Sequence, residues 1–133
     1  MRQIITSSDA PSAIGPYSQA VRAGDWVFLS GQIPIDPRTG ELVTTTIEAA
    51  TVQVMENLRA VLGAAGLTFD HVVKTTIYLI DLNDFVSVNS AYAKYFHENP
   101  PARATVQVAA LPRGVSVEID AIAHAKNSKY SGL

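Results

Sequence analysis

The 133-residue chain contains no cysteine. That removes thiol catalysis, thiolate metal ligation and disulfides from its own chemistry, and it is compatible with a reducing compartment. Charge is also scarce: charged residues make up 17% of the chain, and ten Lys and Arg stand against twelve Asp and Glu, for a formal net charge of −2. Without a basic surplus there is no field for counterion-driven binding to a polyanion, so RNA is disfavoured as the principal ligand. No apolar run approaches the roughly 20 residues that a membrane span requires. The N-terminal MRQIITSSDAPSAIGPYSQAV lacks the continuous apolar core and small-residue cleavage site of a secretory leader. A cytoplasmic location with no membrane partner is expected.

What is present is an ordinary globular share of apolar residues, 47%, in a length suited to one domain spanning residues 1–133. The low charge implies that some surface is buried against another chain, so an oligomer is expected. AGDWVFLSGQIPIDPRTGEL predicts a strand over 26–29 that stops at Ser30-Gly31, with a turn at DPRTG. The preceding YSQAVRAGD pairs with it as a first hairpin. Thr45 followed by Glu48 reads as a capping box, Gly66 as a terminator, and Ile47, Ala50, Val54, Leu58, Val61 and Leu62 follow helical spacing between them. HVVKTTIYLID predicts a strand over about 71–80. Asp81 and Asp84 then open a second helix whose face carries Phe85, Val88, Tyr92, Tyr95 and Phe96. After HENPPA, two strands flank the turn LPRG as a hairpin, and the tail from about 127, KNSKYSGL less its first residue, is expected to fray. The predicted order is β-β-α-β-α-β-β, an α+β sandwich with both helices on one face of a mixed sheet. Its other face needs a cover, and copies of the same chain are the expected one.

Two charges interrupt this apolar pattern. Arg103 enters the strand-like ATVQV behind two prolines, and Glu118 sits between Val117 and Ile119. A guanidinium presents a planar fork of donors that grips a carboxylate through two parallel bonds, so Arg103 is a candidate for a small carboxylate ligand. It could equally snorkel at a sheet edge or pair with a surface acid. Glu118 could face solvent, or face a cleft where it positions or deprotonates water. In one flat hairpin the two would lie on the order of 15 Å apart. They could serve one ligand only if the strands curve strongly or if Arg103 of one chain meets Glu118 of the next.

The other candidates point to ordinary structural roles. His71, His97 and His124 are scattered without the spacing of a metal site, so no metal is expected. GAAG lacks the lysine and hydroxyl of a phosphate loop. Ser30-Gly31 reads as a bulge or turn at a strand end, with no histidine elbow beside it.

Taken together, AIGPYSQAV (13–21), LSGQIP (29–34), DFVSVNSAY (84–92), PPARATVQVAALP (100–112) and VEIDAIA (117–123) resemble the RidA (YjgF) family of reactive-intermediate imine deaminases, in matching order over nearly the whole chain. The resemblance implies a chorismate-mutase-like fold and a homotrimer with a barrel-like centre and ligand clefts between neighbouring chains. It implies that Arg103 binds the substrate carboxylate and Glu118 holds the attacking water, with Tyr17, Ser30, Gly31, Asn89 and Thr105 lining the substrate site. Thr105 stands where many bacterial members have a cysteine, so a thiol role does not carry over, although its backbone can still meet a ligand. The implied activity is hydrolysis of 2-iminopropanoate and 2-iminobutanoate to 2-oxo acids and ammonia, with no cofactor. The alternatives are an RNA-directed translation inhibitor or endoribonuclease, and a metabolite-binding trimer without turnover.

Overall fold

The computed structural model describes residues 2–126. Its first three strands, β1 (Arg2–Ile5), β2 (Ala20–Ala23) and β3 (Trp26–Gln32), form an antiparallel meander. β1 is absent from the sequence-based order: it has only four residues, three of them exposed, which is too short a run to show an alternation. β3 also runs further than expected. Leu29 pairs with Ala121 and Gln32 with Ile119, so Ser30 and Gly31 together oppose a single residue. Ser30-Gly31 is therefore a bulge inside the strand and not its end.

Helix α1 (Ile47–Ala64) is capped by Thr46, whose Oγ1 accepts the Ala49 N–H at 3.0 Å. The cap lies one residue after the expected Thr45, which leaves Glu48 as an acid in the first turn, where the helix dipole favours it. Ala50, Val54, Leu58, Val61 and Leu62 are buried as their spacing predicts. The chain leaves the helix through Gly66 at φ +75°, the left-handed conformation that glycine adopts without a Cβ clash. β4 (Val72–Leu79) follows. A 3-10 turn, Leu82–Asp84, is capped by the Asp81 side chain, which accepts the Asn83 N–H at 2.9 Å. Helix α2 (Phe85–Ala93) then carries the chain back to β5 (Ala102–Gln107), and β6 (Val117–His124) completes the sheet.

The sheet order is β1-β2-β3-β6-β4-β5, with β4 and β5 parallel and the other pairs antiparallel. This corrects the expected β5–β6 hairpin, because β4 lies between those two strands and pairs with both. A parallel pair needs a crossover, and α2 provides it. The segment that joins β5 to β6 steps over the end of β4: Val108 N–H donates to the Leu79 carbonyl at 2.8 Å, and Ile80 N–H donates to that of Ser116 at 3.3 Å. The LPRG turn is real but local, a 3-10 turn with Arg113 at φ 57° and Gly114 at φ 70°. The expected frayed tail lies outside the described residues.

Val27, Leu29, Ile77, Leu79, Val117, Ile119, Ala121 and Ala123 form the buried face, on which α1 packs through Val54, Met55, Leu58 and Leu62. The opposite face has no cover among the described residues. Trp26 is 46% exposed there and Phe28 47%.

Candidate active site

Glu118 belongs to the uncovered face. It alternates with buried Val117 and Ile119 and sits opposite Tyr78 of β4. Half-burial pushes its carboxyl pKa above the ordinary range, and the neighbouring Asp120 charge pushes the same way. Asp120 is itself held by the Tyr78 hydroxyl, which donates to Oδ2 at 3.0 Å. The β3 bulge brings backbone against the acid. A Cβ built on Gly31 would collide with Glu118 Oε2 and lie 2.9 Å from its Cδ, so the glycine is what lets the carboxylate rest there.

A cleft of about 530 Å³ opens over this carboxylate, with Ile14, Tyr17, Ser30, Gly31, Arg113 and Glu118 among its lining residues. Ser30 is anchored twice: its N–H donates to the Gln19 carbonyl at 2.9 Å, and its hydroxyl donates to the Ser18 carbonyl at 2.6 Å. Its proton is thereby committed, while its oxygen lone pairs stay able to accept. Tyr17 is exposed, and its hydroxyl accepts the Ile14 N–H at 3.4 Å. The segment that carries Ile14 and Tyr17 is fastened by buried Gln19. The Gln19 Oε1 accepts the Ser7 N–H at 2.6 Å, and its Nε2 donates to the carbonyls of Ser7 and Pro11 at 3.2 and 2.7 Å.

Arg103 lies elsewhere. It is opposite buried Thr75 in the β4–β5 ladder and therefore on the helix-bearing side of the sheet. Its Nη1 donates to Asn89 Oδ1 at 2.7 Å. A second cleft, about 430 Å³, is lined by Asn89, Tyr92, Phe96, His97, Pro101 and Arg103 among others. Thr105 lines neither cleft. It faces the same way as its ladder partner Ile77, and its buried Oγ1 has no hydrogen-bond partner among the described residues.

The structure thus gathers Tyr17, Ser30, Gly31 and Glu118 around one cleft and Asn89 and Arg103 around another, on opposite faces of one chain. Strand curvature does not unite them. Sequence reasoning missed Gln19 and Arg113. A buried glutamine whose partners are all backbone atoms of a remote loop leaves no pattern in the sequence, and Arg113 lines the cleft from a turn with left-handed backbone that its residue type does not announce.

Within this framework the chain can be set beside known proteins. The family model described as Endoribonuclease L-PSP matches residues 7–125. Protein DfrA of Myxococcus xanthus is 62% identical over 124 residues, which covers 92% of this chain and 95% of that one. The human 2-iminobutanoate/2-iminopropanoate deaminase is 49% identical over 123 residues, covering 92% of this chain and 90% of that protein. The crystal structure of E. coli TdcF with bound serine superposes with a TM-score of 0.88 at 44% identity, covering 92% of this chain and 98% of that one. An α+β sheet of the same architecture, shared at such identity over nearly the full length, has one reading: the chain belongs to the YjgF/RidA family, the family of the L-PSP model.

Proposed function

We propose that the protein hydrolyses short 2-imino acids, 2-iminopropanoate and 2-iminobutanoate, to pyruvate or 2-oxobutanoate and ammonia. The observation that carries this reading is Glu118: a carboxylate of raised pKa, seated against a glycine backbone at the floor of a cleft of about 530 Å³. Relatives named for this activity support it at about half identity.

The chemistry asks little of the protein. A protonated imine carbon is already electrophilic, so no nucleophilic side chain or cofactor is required. Glu118 holds a water and takes its proton as the C–O bond forms, while the C=N electron pair moves to nitrogen. Glu118 then returns its proton to nitrogen, the C–N bond breaks as the oxygen lone pair forms C=O, and the hydroxyl proton passes to the departing ammonia, which leaves as ammonium. Proximity and general base help supply the acceleration. Arg103 grips the substrate carboxylate through its fork. Because the two groups lie on opposite faces of one chain, the reading requires Arg103 of a second copy to meet Glu118 of the first. A homotrimer whose copies cover each other's open sheet faces is the assembly proposed for this.

The family model's description favours a second reading, cleavage of RNA. The net charge of −2 and the absence of a histidine pair at the Glu118 cleft weigh against it.

The test is a coupled assay with imines generated in place from serine and threonine. Wild type should accelerate oxo-acid formation, and Arg103→Ala should abolish the acceleration while the oligomer and the melting temperature are kept. Retained activity in Arg103→Ala would remove that residue from the mechanism.

A further inference from the structure

Something must hold Arg103, and nothing acidic does so: no Asp or Glu among the described residues forms an ion pair with it. Its neighbours are instead the Asn89 carbonyl oxygen and two aromatic faces. The guanidinium carbon lies 5.4 Å from the centroid of the Phe85 ring and 5.1 Å from that of Tyr92. Phe85, Asn89 and Tyr92 are spaced i, i+4, i+7 and so share one stripe of α2. Tyr92 is fixed in turn by a 2.8 Å hydrogen bond between its hydroxyl and Thr75 Oγ1, and Thr75 is the residue opposite Arg103 in the ladder. Both Thr75 and Tyr92 are buried. One strand pair and one helix therefore converge on this guanidinium.

We propose that Phe85, Asn89 and Tyr92, braced by Thr75, form a charge-neutral cage that positions Arg103 without neutralising it, and that Asn89 acts through Arg103 instead of touching substrate. The inference rests on the reading that Arg103 receives the substrate carboxylate. The logic lies in what the cage leaves free. Aromatic rings attract a cation through their faces and use none of its in-plane N–H groups. An amide oxygen uses one of the five and brings no formal charge. A carboxylate at the same place would orient the arginine as well, but it would occupy the fork and cancel the attraction for an incoming anion. Asn89, assigned to substrate contact by resemblance, is thereby reassigned as a positioning residue.

The experiment replaces the amide by the nearly isosteric acid. Wild type, Asn89→Asp and Asn89→Ala are compared for imine turnover and for calorimetric binding of 2-oxobutanoate, with melting curves to confirm folding. Asn89→Asp should raise KM and the 2-oxobutanoate Kd by about tenfold or more, while kcat stays within about twofold. The defect should recede as pH falls and the introduced carboxyl protonates. Values are taken as ratios to wild type at each pH, so that titration of His97 in the same groove, of Tyr92 and of Glu118 cancels. Asn89→Ala, which removes a bond but adds no charge, should show a smaller rise with no such pH dependence.

Equal defects in the two variants at every pH, or a fall in kcat with KM unchanged, would overturn the cage even while wild type remains an active deaminase. If wild type binds 2-oxobutanoate without turnover, the Kd ratios still decide the matter. If it neither turns over imines nor binds the oxo acid, the deaminase reading fails and this inference fails with it.

Discussion

Glu118 shows what the proposed catalytic carboxylate costs the fold. A carboxyl whose pKa is raised by burial is bound to its proton more tightly in the folded chain than in the unfolded one, so its contribution to stability is present at low pH and is lost as pH rises through the folded value. At neutral pH the ionised group therefore opposes folding. Glu118→Gln should eliminate imine hydrolysis while its melting temperature at pH 7 equals or exceeds that of wild type, and the gap should close on acidification. Parallel melting and activity curves between pH 4 and pH 8 check this. A variant that melts well below wild type at pH 7 would mean that Glu118 is a structural anchor. Gly31 supplies the counterpart. The three atoms nearest the added Cβ of Gly31→Ala all belong to the flexible Glu118 side chain, so stability should change by less than about 1 kcal/mol. The displaced carboxylate should nevertheless cost about tenfold or more in kcat, as for a misplaced catalytic base. Kinetics paired with chemical denaturation would separate the two effects.

Among the elements, α1 shows most plainly what the sequence reveals and what it hides. Its apolar spacing runs through the helix, and of the spaced residues only Ile47, at the first turn, is partly rather than fully buried. Its start is hidden: TTT at 44–46 offers adjacent hydroxyls of equal chemistry, and only the backbone decides that Thr46 caps. Thr46→Ala should therefore destabilise the protein by about 1 kcal/mol while Thr45→Ala stays near neutral, measured by urea denaturation. The reverse ranking would restore the cap expected from the sequence. The strands follow the same division. β4 and β6 were legible from β-branched content and alternation, whereas their being neighbours was not. Placing β4 between β5 and β6 depends on a parallel crossover and on loop bonds at Val108 and Ile80, which are non-local. The site suffers similarly. Arg103 and Glu118 stand out as charges within apolar strands, yet the face each occupies depends on that pairing. Asn89 and the rings beside it become a cage only once α2 is laid over β5.

At the scale of the whole molecule, one chain carries two clefts on opposite sides of its sheet, which the proposed function reads as two half-sites. The Glu118 cleft lies on a sheet face that leaves Trp26 and Phe28 nearly half exposed, and Arg103 lies behind the sheet beside α2. Covering the exposed half of one such aromatic would contribute about 1 kcal/mol, so the open face would favour the association that the proposed function requires. In a ring of identical subunits with head-to-tail contacts, each site would draw Glu118 from one copy and Arg103 from the next. The direct measurement is complementation. Arg103→Ala and Glu118→Gln chains, each inactive alone, are co-expressed with different tags, and the mixed oligomers are isolated by tandem purification. Every mixed trimer in a head-to-tail ring has about one junction in three that sets an intact Glu118 beside an intact Arg103, so the purified mixed oligomers should regain roughly a third of wild-type activity per site. Mixed oligomers with no activity would contradict a site shared between subunits.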